Sequence, residues 1–145
     1  MCLCYNICWV VIHKYDKREK EKLMTIQELY REIGGDYDQA VRVLRMDKLI
    51  DKHIRRFAEN GTPDRLFAAG DTMDPSELFE AAHALKGVAA NLGLVEISDA
   101  ASEIADEYRP GNERRLTDDE VKAKINLIQD LNSRTVAGIR AYAES

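Results

Sequence analysis

His83, Lys86 and Gly87 stand within about one helical turn of each other in "AAHALKGVAANLGL", residues 81–94. A neutral imidazole is a competent nucleophile near physiological pH, and it can hold a phosphoryl group through an N–P bond. An ammonium three residues on lies over the same helix face and can reach the oxygens of an anion carried by the ring. Glycine inside a helix costs roughly 1 kcal/mol relative to alanine, so it needs a reason to be there. Beside an imidazole that reason is access, because a missing side chain lets a phosphoryl group or another protein surface approach closely. The chemistry these residues suggest is phosphoryl acceptance at His83, with Lys86 as charge support and Gly87 as access. His13 and His53 have no comparable neighbours, and His53 reads as a bundle-edge residue beside an apolar stripe.

The element that must position them begins at "DPSE", with Asp74 as N-cap, Pro75 at the first helical position and Glu77 at the third. Leu78, Ala82, Leu85, Ala89 and Leu92 follow at spacings of four, three, four and three, which makes one apolar stripe, and Gly93 supplies the stop. On a wheel of about 100° per residue that stripe lies opposite His83. The histidine therefore faces water. Within roughly 60° of it lie Ser76, Phe79, Lys86, Gly87 and Ala90. Glu and Lys would normally fill the outer face of a bundle helix. A nucleophile, a cation, bare backbone and an exposed aromatic ring there suggest a docking surface, to which Ser76, Phe79 and Ala90 belong.

The surrounding pattern is helical. "TIQELYREI" has Thr25 as N-cap with Glu28 three residues on, and Gly34-Gly35 separates it from a second short helix. Met46, Ile50, Ile54 and Phe57 keep the rhythm of an amphipathic helix. Thr62-Pro63 restarts the chain with Thr62 as N-cap, and Gly70 ends that helix. A further helix carries Ile97, Ala101, Ile104 and Tyr108 before "RPGNERR"; the last opens at "TDDE" and carries Val121, Ile125, Ile128, Thr135, Ile139 and Tyr142. The pattern predicts an all-α bundle of four long helices preceded by short ones, over residues 24–145. There is no sequence repeat and no low-complexity segment.

With 145 residues, 45% of them hydrophobic and 32% charged, the chain has the composition of one globular domain rather than of a disordered or membrane-spanning segment. A net charge of -5 argues against a nucleic-acid partner. Cys2, Cys4 and Cys8 all fall in the first eight residues, so no disulfide framework spans the domain. With His13 their spacing matches no standard zinc pattern, and no metal site is expected. Residues 1–23, an oily decapeptide and then the charge run "HKYDKREKEK", read as a tail outside the fold. "ICWVVI" is too short to cross a bilayer, and no targeting segment is readable, so a cytoplasmic location without membrane association is the expectation. Unpaired thiols suit that compartment.

The stretch "HALKGVAANLG" resembles the signature of histidine-containing phosphotransfer (HPt) domains, carried here by His83, Leu85, Lys86, Gly87, Leu92 and Gly93. The likeness extends loosely from about Gly34 to the last helix. It implies an antiparallel four-helix bundle, a monomer, whose exposed histidine takes a phosphoryl group from an aspartate of one receiver domain, or from a histidine kinase, and passes it to another receiver. It also implies two-component phosphorelay signalling with response-regulator partners, and that Mg²⁺ and the acidic cluster belong to the receiver. The Cys-rich tail departs from the family.

Three classes of function stand side by side. A phosphocarrier is the first. An autophosphorylating kinase would need a nucleotide site, and the glycines form neither G-x-x-x-x-G-K-[ST] nor G-x-G-x-x-G. Kinase involvement thus reduces to serving as the substrate domain of a separate chemotaxis-type kinase. A helical adaptor without phosphotransfer is the third, and it would be expected to lack the histidine. Profiling against candidate kinases and receivers separates these classes.

Overall fold

A computed structural model describes residues 23–145. Cys2, Cys4, Cys8, His13 and all but the last residue of the expected tail lie outside the described residues. Within them the chain forms seven helices and no strand: α1 Ile26–Ile33, α2 Tyr37–Leu44, α3 Asp47–Glu59, α4 Asp64–Thr72, α5 Pro75–Asn91, α6 Val95–Tyr108 and α7 Asp118–Glu144.

Three of the starts are set by side-chain caps that the sequence announces. Thr25 accepts from the Glu28 amide while Glu28 reaches back to the Thr25 amide, and Thr117 and Glu120 do the same at α7. Asp74 accepts from the amides of Ser76 and Glu77, with Pro75 in the first turn. Each such cap satisfies amides that would otherwise have no partner, a contribution of about 1 kcal/mol.

The long helices α3, α5, α6 and α7 make the bundle, and α4 lies between α5 and α7. α5 and α6, joined by Leu92, Gly93 and Leu94, form the tightest pair, and α7 packs along both α6 and α3. Ile50, Ile54, Leu66, Leu78, Leu85, Ile104, Ile128 and Ile139 fill the centre, all essentially without solvent exposure. The apolar stripe of α5 is buried as the periodicity predicts: Leu78, Ala82, Leu85, Ala89 and Leu92 all face inward. Leu78 and Leu85 each contribute about 1.5–3 kcal/mol by leaving water, enough for the helix to carry a glycine at position 87.

Three local expectations differ from the structure. Thr62 does not cap α4. The chain turns through Gly61 with φ of 55°, and Pro63, fully buried, takes the N-cap position itself with its carbonyl accepting from Leu66 and Phe67. Gly70 does not end α4 either. The helix runs on to Thr72 and stops at Met73, whose φ is 56°. Gly70 is interior because a Cβ there would come within 2.8 Å of the Ile125 Cδ1 of α7, so its small size serves packing. Met46 precedes α3 as its N-cap and is 55% exposed, so the buried stripe begins at Ile50.

The short helices α1 and α2 hold the C-terminal end of α5. At its C-terminus Leu94 donates to the Ala89 carbonyl and Gly93 to the Ala90 carbonyl, a Schellman arrangement with Gly93 at φ of 68°. Three carbonyls of this turn are taken up from outside: Tyr30 Oη donates to Leu92 O at 2.6 Å, Gln39 Nε2 to Ala90 O at 2.8 Å and the Asp36 amide to Gly93 O at 2.8 Å. A Cβ at Gly93 would overlap the Asp36 carbonyl oxygen. Glycine is required there twice, for the left-handed turn and for this backbone approach.

Candidate functional site

His83 lies on the middle turns of the 17-residue α5 with its side chain exposed; Ser76 in the first turn and Gly87 are also exposed, and Phe79, Lys86 and Ala90 are half-buried. The five neighbours expected around the histidine are thus on the solvent side of the helix, away from the buried stripe. Phe79 differs from expectation in being packed against the edge of the core rather than fully exposed. Its ring stacks on the imidazole, with centroids 5.6 Å apart and planes 24° from parallel. One face of the imidazole is therefore covered by an aromatic neighbour that is itself held by the core, which restricts the ring's orientation.

Among the described residues, and apart from the backbone of its own helix and its two chain neighbours, nothing lies within 4 Å of the position a Cβ would take at Gly87. The contrast with Gly93 is informative, since glycine there is demanded by the left-handed turn and the Asp36 carbonyl of this chain. At Gly87 no atom of the described residues demands the absence of a side chain. Lys86 makes no ion pair among the described residues. Its backbone carbonyl accepts from Ser98 Oγ of α6 at 3.3 Å, which ties this turn to the neighbouring helix.

A second electrostatic element adjoins the histidine and was missed in the sequence. Glu80, three residues before His83, accepts from Arg65 Nη2 of α4 at 2.8 Å. The same guanidinium reaches both oxygens of Glu77 at 3.3 Å. Hydrogen bonds to Glu77 and then to Glu80 raise the Arg65 pKa, so the cation is permanent. The spacing of Glu80 from His83 is visible in the sequence; its pairing with Arg65 depends on how α4 folds back on α5.

His53 is half-buried in a cleft of about 250 Å³ between α3 and α5, with Phe57, Val88 and Asn91, and it does not join the His83 face. Among the described residues no group of three or more His, Cys, Asp or Glu side chains is placed to hold a metal ion, and no helix is long and apolar enough to cross a membrane.

The described residues thus form a helical bundle with an exposed histidine stacked on Phe79 and beside an open glycine. The Hpt domain family matches residues 26–134, most of the chain, and the protein belongs to that family. Membership assigns it a general role in phosphorelay signalling by histidine phosphotransfer, as a transfer module working with receiver domains and kinases of two-component systems. Compared with curated proteins, and separately with solved structures, the chain finds no significant match.

Proposed function

We propose that His83 is the phosphoryl acceptor of a phosphocarrier, loaded by a receiver-domain aspartate or a histidine kinase and unloaded onto another receiver. The observation that carries this reading is the empty space at Gly87 beside an exposed imidazole, a gap that no packing among the described residues requires. A ring nitrogen attacks the phosphorus of the aspartyl phosphate with its lone pair. As the N–P bond forms, the P–O bond to the aspartate breaks and the carboxylate leaves with the electron pair. The proton on the other ring nitrogen stays in place through the step and passes to solvent afterwards, leaving a neutral ring with a dianionic phosphoryl group; it is taken up again before unloading. Unloading is the same step in reverse toward a second aspartate.

In this reading the chain supplies position rather than acid–base catalysis. Phe79 orients the ring, Gly87 leaves room for the incoming phosphoryl group, and the Lys86 ammonium meets its oxygens as charge develops. Ser76, Phe79 and Ala90 lie along the path a receiver must cover to reach the ring. Mg²⁺ is expected on the receiver, where it neutralises charge at the aspartyl phosphate. The protein is accordingly a carrier without a nucleotide site of its own, acting in the cytoplasm as a monomer.

Incubation with a phosphorylated receiver tests the proposal. The protein should acquire a phosphate that is labile in acid and stable in base, and His83→Gln should abolish labelling while leaving the helical content intact. Labelling that persists in His83→Gln, or a label stable in acid, places the acceptor elsewhere.

A further inference from the structure

Arg65 bridges two helices at a point where the balance of charge bears on the phosphorylated state. The face around His83 carries one cation of its own, Lys86, and beside it Glu77 and Glu80, with Glu80 one turn before the histidine. Residues three apart on a helix are neighbours, with Cβ atoms about 5–6 Å apart. A phosphoryl group on His83 brings nearly two negative charges to within reach of the Glu80 carboxylate. Left alone, that carboxylate would oppose loading. It is not left alone, since the guanidinium of Arg65 contacts it at 2.8 Å and Glu77 at 3.3 Å.

Resting on the reading of His83 as acceptor, the geometry assigns Arg65 as a positioning residue that holds and neutralises Glu80, and thereby sets how far His83 is loaded at equilibrium. Bracing α4 against α5 is the lesser part of its role. All three side chains are about half exposed, and exposed ion pairs contribute little to stability. The effect on a neighbouring dianion is larger, because the whole charge of Glu80 is uncovered when Arg65 is removed. For a single charge facing about two charges across one helical turn in a water-like dielectric, Coulomb's law gives a change of about five- to tenfold in the loading equilibrium at low salt.

The experiment mixes the full chain with a phosphorylated receiver and measures the ratio of phosphohistidine to aspartyl phosphate at equilibrium. Wild type, Arg65→Gln, Glu80→Gln and the double variant are compared in low and high salt, with a melting curve for each. Arg65→Gln should lower the loading constant about five- to tenfold at low salt and much less at high salt. The double variant should return to within about twofold of wild type, because the uncovered charge is gone, although the bridge between α4 and α5 stays broken. An unchanged constant in Arg65→Gln, or a double variant as poor as the single one, overturns the assignment and leaves Arg65 as a brace or a receiver contact. If wild type takes no label at His83, the acceptor reading itself fails, and this is told apart from the other outcomes by the wild-type lane alone.

Discussion

Replacing Gly87 separates stability from transfer in a way that few positions allow. A Cβ at this position meets no atom of the described residues within 4 Å beyond its own helix backbone, so the bundle has nothing to push aside. Gly87→Ala therefore leaves only the backbone term, and relieving the entropy of a mid-helix glycine stabilises by about 0.5–1 kcal/mol. For a domain of this size the melting temperature should rise by about 2–5 °C. Gly87→Leu keeps most of that gain, since leucine is nearly as good a helix former as alanine. Its isobutyl group, however, fills the space beside the imidazole that the incoming phosphoryl group must cross. Misplacement of reacting groups by about 1 Å can cost a hundredfold in rate, and Gly87→Leu should slow receiver-dependent loading by about that factor. Lys86→Ala removes one half-buried charge and should cost only about fivefold. Melting by circular dichroism and single-turnover loading from a phosphorylated receiver provide the two readouts. A lower melting temperature for Gly87→Ala, or a larger rate loss in Lys86→Ala than in Gly87→Leu, refutes the argument that this glycine exists for access.

Gly93→Ala should behave in the opposite sense, losing at least about 2 kcal/mol in a denaturant titration, because it forces a side chain into a left-handed turn and against the Asp36 carbonyl; a loss below about 0.5 kcal/mol, the range of a surface change, contradicts the role given to this turn. Asp51 of α3 accepts hydrogen bonds from Tyr142 of α7 at 2.6 Å and from Arg55 at 2.9 Å. Burial pushes its carboxyl up, but these two donors outweigh it and hold it below its ordinary value. Its contribution to stability is therefore complete above about pH 4–5 and is lost as the pH falls through the lower folded value. Melting curves between pH 6 and pH 2.5 should thus fall less steeply for Asp51→Asn than for wild type, and parallel curves count against the α3–α7 clamp. Deleting residues 1–23 should shift stability by less than about 1 kcal/mol and leave loading rates unchanged; a marked drop in either shows that "ICWVVI" packs on the bundle or on its partner.

What could be read from the sequence depended on whether the deciding interaction was local. The α5 stripe, the caps at Thr25, Asp74 and Thr117 and the stop at Gly93 are all set by residues within a turn or two of each other, and each is where the pattern puts it. The outward position of His83, Lys86 and Gly87 follows from the same periodicity. Gly70 reads as a helix end because glycine often ends helices, whereas its small size here admits Ile125, 55 positions further on. The true end, Met73 at φ of 56°, has no glycine to mark it. At α4 the strong Thr-Pro signal lost to the turn at Gly61, which puts Pro63 at the N-cap, so the helix starts one residue later than the pattern suggests. Periodicity gives the helix face of Phe79, but its partial burial at the core edge and its stacking on His83 depend on tertiary packing. The pairing of Arg65 with Glu77 and Glu80, and the reach of Tyr30 and Gln39 to the carbonyls at the end of α5, belong to the same class. Charges and donors are visible in a sequence, but their partners are set by how helices fold back on one another.

Carriage rather than mere acceptance is the central claim, and the unloading half-reaction tests it most directly. Protein phosphorylated at His83 is purified away from its donor and from all nucleotide, then mixed with an unphosphorylated receiver and Mg²⁺. The account predicts that label leaves the protein and appears on the receiver within the mixing time of a manual assay, changing from an acid-labile, base-stable linkage to the base-labile acyl phosphate of an aspartate. Label that stays on His83 with every receiver tried, or that passes to inorganic phosphate without appearing on any of them, contradicts it.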